Sequence, residues 1–180
     1  FINLGVTNFE LYHTQAKQNG VFDLFETGKL TENEFCNQLK ILTNITASNT
    51  EIINAWNAML LDFPKAYKTL LINLKKEYNL SVLSNTNETH LRTFYQIIHN
   101  DIGETSLDNL FHSYYFSHEI GYRKPTKEAF EFVLRANKFI ASETLFIDDT
   151  KEHIIAAKKL NLKTYFLQKS ETITTLFNEY

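Results

Sequence analysis

The sequence of 180 residues contains 43% hydrophobic and 22% charged residues, which predicts one globular domain or one core with a small insertion, and excludes general disorder. The net charge of −3, without a concentrated basic segment, argues against a nucleic-acid partner. The single cysteine, Cys36, excludes an internal disulfide framework, and no apolar run exceeds four residues, far below the ~20 that span a membrane. We expect a cytoplasmic monomer or weak dimer without a membrane partner.

The N-terminal part of the chain is expected to be helical. Residues 1–5 are typical of a helix end closed by glycine, and residues 7–78 show helical patterns throughout. Two capping boxes, Thr31–Glu34 and Ser48–Glu51, indicate helix starts, because the hydroxyl and the carboxylate each accept a hydrogen bond from an exposed amide. Pro64 suits the first turn of the last helix in this part.

From residue 79 onward, short apolar segments alternate with helical patterns. The segments are three or four residues long and lack alternation, as expected of strands buried on both faces. They are Leu80–Leu83, Tyr114–Phe116, Leu145–Ile147 and Tyr165–Leu167. The helical patterns cover Glu88–His99, Thr126–Ala136, Lys151–Leu160 and Glu171–Phe177. This alternation predicts β-α units that build a parallel sheet.

Chemically active side chains follow three of these strands. Ligands of open parallel sheets bind beyond the carboxyl ends of the strands. The first strand is followed by Ser84–Asn87, the second leads through a loop to Lys124, and the third ends at Asp148 and Asp149. Adjacent carboxylates favour a bound cation, whereas hydroxyls, amides and an ammonium group suit a phosphate. A hard cation and a phosphate at one sheet edge together indicate phosphoryl transfer.

Each of these features also has a structural explanation. Ser84–Asn87 could form a turn, Lys124 could be a solvated lysine at a helix start, and Asp148 and Asp149 could cap the next helix. His153 lies one helical turn past Asp149 and could line the same site. The order of the features, each at a strand end, favours a functional site.

In order and spacing, these segments resemble motifs of the haloacid dehalogenase superfamily, whose members are mostly Mg²⁺-dependent phosphatases. Leu83–Asn87 resembles the second motif, Arg123–Pro125 the third, and Phe146–Asp149 the fourth. The helical N-terminal part, including Phe25–Leu30, resembles the cap that is inserted into the core of such enzymes. The nearest subgroup is that of small bacterial phosphatases acting on sugar phosphates.

The resemblance implies a role for each motif residue. Ser84 and Asn85 would hold the phosphoryl oxygens, and Lys124 would neutralise charge on the phosphate and the nucleophile. Asp149 would bind Mg²⁺ directly, and Asp148 would bind it through water or support the site. The implied partner is a small phosphorylated metabolite, cleaved through an aspartyl-phosphate intermediate.

The resemblance also implies the architecture, a Rossmann-like parallel α/β core over 79–180 with a helical cap over 1–78. The family's first motif, Asp-x-Asp, supplies the nucleophile and is absent from these 180 residues. Asp23 has no second aspartate two positions later and cannot replace it. We expect this motif upstream of residue 1, on a strand between the strands at 80–84 and 144–148, which would then not pair directly.

Two functional hypotheses follow from the absent motif. In the first, the intact protein is a Mg²⁺-dependent phosphatase, and the 180 residues alone do not turn over a phosphate ester. In the second, the chain is a catalytically inactive domain that binds phosphate or another protein.

Overall fold

The computed structural model describes residues 1–6 and 20–177. The helix expected at 7–19 lies outside the described residues. A 3₁₀ turn at Ile2–Leu4 ends at Gly5, whose φ of 86° is left-handed, so the predicted glycine-closed end is present in a short form. Four helices follow, and they are α1 (Val21–Glu26), α2 (Glu32–Thr43), α3 (Asn49–Asn57) and α4 (Lys65–Glu77).

Both capping boxes are confirmed. The Thr31 hydroxyl accepts a hydrogen bond from the backbone N–H of Glu34, and the Glu34 carboxylate accepts one from the backbone N–H of Thr31. Ser48 and Glu51 repeat this arrangement at the start of α3. Pro64 differs from the expectation by one residue, because its ψ of 131° is extended and makes it the N-cap of α4 rather than part of the first turn.

Helices α1–α3 share an apolar cluster of their own. Its centre is the stacked pair Phe25 and Phe35, whose ring centroids are 4.1 Å apart, and Cys36 is fully buried beside them. Helix α4 instead packs through Leu71 and Ile72 against a second cluster, which belongs to the α/β part of the chain. A domain boundary at residue 78 therefore stays a prediction.

The C-terminal part alternates strands and helices as predicted. The strands are β1 (Ser81–Ser84), β2 (Ser113–Phe116), β3 (Leu145–Asp148) and β4 (Lys163–Phe166). The helices are α5 (Glu88–Ile102), α6 (Ser117–Ile120), α7 (Lys127–Asn137), α8 (Lys151–Lys159) and α9 (Ile173–Leu176). Strands β1 and β2 pair in parallel, as do β3 and β4, which confirms the predicted parallel arrangement.

Over the described ranges, β1 and β3 do not pair with each other, as the sequence analysis predicts. Leu83 of β1 and Phe146 of β3 nevertheless pack against the same apolar cluster, which includes Phe130 of α7 and Ala157 of α8. A cavity of about 440 Å³ lies between β1 and β3 and is lined by residues of both strands, among them Val82 and Ile147.

The expectation that the strands are buried on both faces is wrong for most positions. All four residues of β1 are only partly buried, and Leu145 of β3 is 50% exposed. The reason is that each sheet has two strands, and β1 and β3 both border the cavity. Within residues 1–6 and 20–177, no helix combines the length and the apolar character needed to cross a membrane.

Candidate active site

The three strand-end segments meet through direct contacts at the carboxyl edge of β1 and β3. The Asn85 side-chain amide donates a hydrogen bond to the Lys124 carbonyl, and its oxygen accepts one from the Lys124 backbone N–H, each at 2.8 Å. Lys124 Nζ lies 2.7 Å from Asp148 Oδ2. One chain of contacts therefore joins the segment after β1, the loop after α6 and the end of β3.

Lys124 is buried rather than solvated. The residue is only 9% exposed, and its ammonium group lies 5.5 Å from the centre of the Phe146 ring. A buried ammonium group needs a negative partner, and Asp148 provides it. The alternative of a solvated lysine at a helix start is therefore wrong.

Asp148 is held in its charged form by three neighbours. Burial alone would raise the pKa of Asp148, but hydrogen bonds from His153 and Lys124, with the charge of Lys124, hold this pKa well below its ordinary value. The backbone N–H of Thr150 donates a further hydrogen bond at 2.8 Å. Asp148 thus accepts a hydrogen bond just before α8 and pairs with Lys124, but it does not cap that helix, whose N-cap is Thr150 without a side-chain cap.

His153 belongs to this cluster. Its Nδ1 atom lies 3.0 Å from Asp148 Oδ1, and its side chain is 14% exposed. The sequence raised His153 only as a residue that could line the site, because one helical turn of separation fixes proximity but not contact. The structure brings its ring directly to the carboxylate.

Asp149 differs from its neighbour Asp148. It is exposed, and none of the described residues forms a hydrogen bond or ion pair with its carboxylate. The described part of the chain holds no cluster of three or more His, Cys, Asp or Glu side chains that could hold a metal alone. Mg²⁺ commonly binds one or two carboxylates together with water and substrate phosphate, so one accessible carboxylate at this edge fits that ion.

The four residues after Leu83 divide into two kinds. The Ser84 hydroxyl forms no hydrogen bond with any described residue, and Ser84 lines a second cavity of about 300 Å³. Asn87 caps α5 by accepting a hydrogen bond from the His90 backbone N–H at 3.0 Å. Asn87 therefore has a structural role as the N-cap of α5, and the turn considered as an alternative is not formed, whereas Ser84 stays available to a ligand.

Sequence reasoning missed the polar contact between α1 and the site. Arg123 forms ion pairs with Asp23 and Glu26, and its Nε atom lies 2.9 Å from Glu26 Oε2. Near these ion pairs, the backbone of Gly28 lies against the backbone of His118, since a Cβ at Gly28 would be 2.3 Å from the His118 carbonyl oxygen. The glycine two residues after Glu26 could have indicated a close contact at the end of α1, but the sequence could not indicate which residues form that contact.

Comparisons with known proteins agree on one family. A family model described as haloacid dehalogenase-like hydrolase matches residues 13–167. A D-ribitol-5-phosphate phosphatase of Bacteroides thetaiotaomicron is 30% identical over 165 residues, which cover 92% of this chain and 80% of that protein.

Solved structures give the same result. A HAD family enzyme of Bacteroides thetaiotaomicron, in complex with magnesium and inorganic phosphate, superposes with a TM-score of 0.85 at 30% identity, over 97% of this chain and 86% of that chain. A protein of Porphyromonas gingivalis described as a predicted HAD-like family hydrolase has a TM-score of 0.85 at 24% identity, over 99% and 85% of the two chains. The latter likeness shows the α/β fold alone.

Proposed function

Because the chain belongs to the haloacid dehalogenase-like hydrolase family, we propose that it is a Mg²⁺-dependent phosphatase of small sugar or polyol phosphates. The observation that carries this proposal is the site edge, where the buried Lys124–Asp148 pair, at 2.7 Å, stands beside the exposed carboxylate of Asp149. In this proposal, a cation, a phosphate and the Lys124 ammonium group meet at this edge.

The side chains at this edge take separate roles. Ser84 donates its hydroxyl to a phosphoryl oxygen, and Asn85 contributes through its backbone N–H, because its side chain is engaged by the backbone of Lys124. Lys124 neutralises negative charge on the phosphoryl group, and this charge increases as the nucleophile attacks phosphorus. Asp149 holds Mg²⁺, and Asp148 keeps Lys124 in place. Bound Mg²⁺ would neutralise negative charge on the phosphoryl oxygens.

The nucleophile in this proposal is an aspartate on a further strand, encoded upstream of residue 1. The cavity of about 440 Å³ between β1 and β3 supports this, because it is bordered by both strands and lined mainly by apolar side chains. Neighbouring strands lie ~4.8 Å apart, so one strand in that lane would pair with both sheets. Its carboxyl end would then stand between Ser84 and Asp149. Attack of the aspartate oxygen on phosphorus would form the aspartyl-phosphate and break the P–O bond to the organic part, which would leave as the alcohol with a proton from the second aspartate of the Asp-x-Asp motif. Water would then hydrolyse the aspartyl-phosphate, which releases inorganic phosphate and restores the aspartate.

The relatives support the substrate class. One is named a D-ribitol-5-phosphate phosphatase, and a solved relative binds magnesium and inorganic phosphate. Both are about 30% identical to this chain over most of its length. A five-carbon polyol phosphate is therefore the first substrate to assay.

The decisive experiment compares Asp149→Ala with Glu143→Gln in the full-length protein. Glu143 is an exposed carboxylate that precedes the same strand, β3, at its other end. We expect Asp149→Ala to abolish Mg²⁺-dependent hydrolysis of ribitol 5-phosphate and of an aryl phosphate, whereas Glu143→Gln retains it. Near-normal turnover by Asp149→Ala, or by the wild type with Mg²⁺ chelated, would contradict the proposal. A full-length wild type that binds phosphate but hydrolyses neither ester would instead support the inactive binding domain.

A further inference from the structure

His153 is the third residue of helix α8, which follows β3 after a short loop. Its backbone N–H donates a hydrogen bond to the Thr150 carbonyl at 3.1 Å, and Ile154 and Ala157 of the same helix are buried. The helix is therefore fixed against the core. The His153 side chain, which is 14% exposed, is held at the carboxyl end of β3.

The His153 side chain makes one polar contact. Its Nδ1 atom lies 3.0 Å from Asp148 Oδ1. Because an ionised carboxylate can only accept hydrogen bonds, Nδ1 carries a proton and donates it to this oxygen. No other described residue forms a hydrogen bond with the imidazole ring. The polar effect of His153 on the site therefore passes through Asp148.

The two oxygens of Asp148 have separate donors. Oδ1 accepts hydrogen bonds from the His153 ring and from the Thr150 backbone N–H, whereas Oδ2 accepts one from Lys124 Nζ at 2.7 Å. Among the described residues, Lys124 Nζ has no other hydrogen-bond partner. The terminal torsion of an aspartate is soft, so the plane of the carboxylate is set by the bonds that it accepts. The two donors on Oδ1 thus decide where Oδ2, and with it the ammonium group, is held.

Resting on the phosphatase function proposed above, we propose that His153 is a positioning residue, which orients the Asp148 carboxylate and thereby keeps the Lys124 ammonium group in place for the phosphoryl group. Lysine has a flexible four-carbon stem, so its ammonium group needs such an anchor. Negative charge on the phosphoryl group increases in the transition state, and a small displacement of the ammonium group lowers the rate more than it weakens substrate binding. His153 itself touches neither the substrate nor its proton in this proposal.

The test uses three substitutions of His153 in the full-length protein. His153→Asn keeps a donor at the position of Nδ1, because the asparagine amide nitrogen is also one bond beyond Cγ. His153→Gln moves the donor outward to the level of Nε2, and His153→Leu removes it. Glu152→Gln is the matched control, since Glu152 precedes His153 on the same helix and is exposed.

The first readout is hydrolysis of ribitol 5-phosphate and of an aryl phosphate. We expect His153→Leu and His153→Gln to lower kcat by at least about tenfold on both esters, as for the loss of a group that orients an active side chain. KM and the half-saturating Mg²⁺ concentration should change by less than about twofold, because the lost interaction belongs to the transition state. His153→Asn should stay within about threefold of the wild type, and Glu152→Gln within about twofold.

The second readout needs neither substrate nor metal. Proton–nitrogen NMR of labelled lysine ammonium groups is recorded with EDTA, and the Lys124 signal is assigned by its loss in Lys124→Met. A buried, ion-paired ammonium group exchanges its protons slowly with water. We expect the signal in the wild type, His153→Asn and Glu152→Gln, and expect it to be lost by exchange in His153→Leu and His153→Gln.

Equal kcat in His153→Asn and His153→Leu would overturn the proposal, because a donor at the Nδ1 position would then not matter. A loss of activity that additional Mg²⁺ restores would overturn it as well, since His153 would then act on the metal. If His153→Leu fails to fold in a thermal melt, the comparison of His153→Gln with His153→Asn decides the question. A wild type that hydrolyses neither ester would instead refute the proposed phosphatase function, and the Lys124 signal would still decide whether His153 positions Lys124.

Discussion

The ion pair between Lys124 and Asp148 is a buried electrostatic contact of the site whose contribution to stability can be measured. The two side chains are 11% and 7% exposed, and their charged atoms are 2.7 Å apart. Replacing Lys124 with Met keeps the length of the side chain and removes its charge. Asp148 then remains as a buried carboxylate without its cationic partner.

The expected cost follows from the burial of the pair. Removal of one partner from a buried ion pair destabilises a protein by ~3–5 kcal/mol. Asp148 keeps the contact with His153 at 3.0 Å and the hydrogen bond from Thr150 at 2.8 Å, so we expect the lower end, about 3 kcal/mol. The converse substitution, Asp148→Asn, removes the charge of the carboxylate and leaves the buried ammonium group of Lys124 without its charged partner.

A double-mutant cycle isolates the pair from other effects of each substitution. The free energy of unfolding is measured by urea denaturation at pH 7, with EDTA present so that no metal contributes. The double variant Lys124→Met, Asp148→Asn should be more stable than the sum of the two single losses predicts, by about 2 kcal/mol, within the range measured for residues in contact. Losses that add to within about 0.5 kcal/mol would refute the reasoning, since such additivity is typical of residues that do not interact.

Acid pH tests the same pair with a defined sign. The pKa of Asp148 in the folded protein lies well below its ordinary value of 3.8, so the folded state favours the charged carboxylate. The stabilisation is fully present above the ordinary pKa and decreases as the pH falls below it toward the folded value. The stability difference between wild type and Lys124→Met should therefore narrow below about pH 4. A difference that stays constant from pH 7 into this range would contradict the assignment.

Two further substitutions test contacts that position the site. Asn85→Ala removes both 2.8 Å hydrogen bonds to the Lys124 backbone. It should lower the free energy of unfolding, measured by urea denaturation, by about 2 kcal/mol and should also reduce turnover. Unchanged stability would show that these hydrogen bonds contribute nothing. Gly28→Ala should lower the melting temperature, because the new Cβ would lie 2.3 Å from the His118 carbonyl oxygen at a backbone φ of +70°. Gly103→Ala is the control for backbone strain alone, because Gly103 has a similar φ and open space around it. Equal melting temperatures for the two glycine variants would rule out the steric contact.

The capping boxes and the strand ends could be predicted because each depends on residues that are close together in the sequence. Thr31 and Glu34, and likewise Ser48 and Glu51, satisfy each other across three residues, and any helix that starts there makes the same bonds. Strand positions after residue 79 followed from short apolar segments, with bounds shifted by one or two residues. The resemblance to the family depended on motifs at those strand ends, and the family comparison confirms it.

The roles inside the site could not be predicted from the same signals. A sequence indicates that Lys124 and Asp148 occur at loop and strand ends, but their mutual burial depends on how two strands and a loop pack together. Asn85 was expected to act on phosphate, and the structure engages its side chain with Lys124, 39 residues away. These contacts join segments that are far apart in the sequence, and the sequence does not indicate which distant segments pack together.

The sequence by itself determined the helix starts, the parallel α/β class and the identities of the polar residues beyond each strand. Those features depend on hydrogen bonds and apolar patterns within one turn or one strand. Only the tertiary structure decided that β1 and β3 border a cavity, and that Arg123 pairs with Asp23, 100 residues away. The physical reason is that burial and charge pairing between distant segments are set by the packing of the whole chain, whereas caps and strand ends are set by neighbours in sequence.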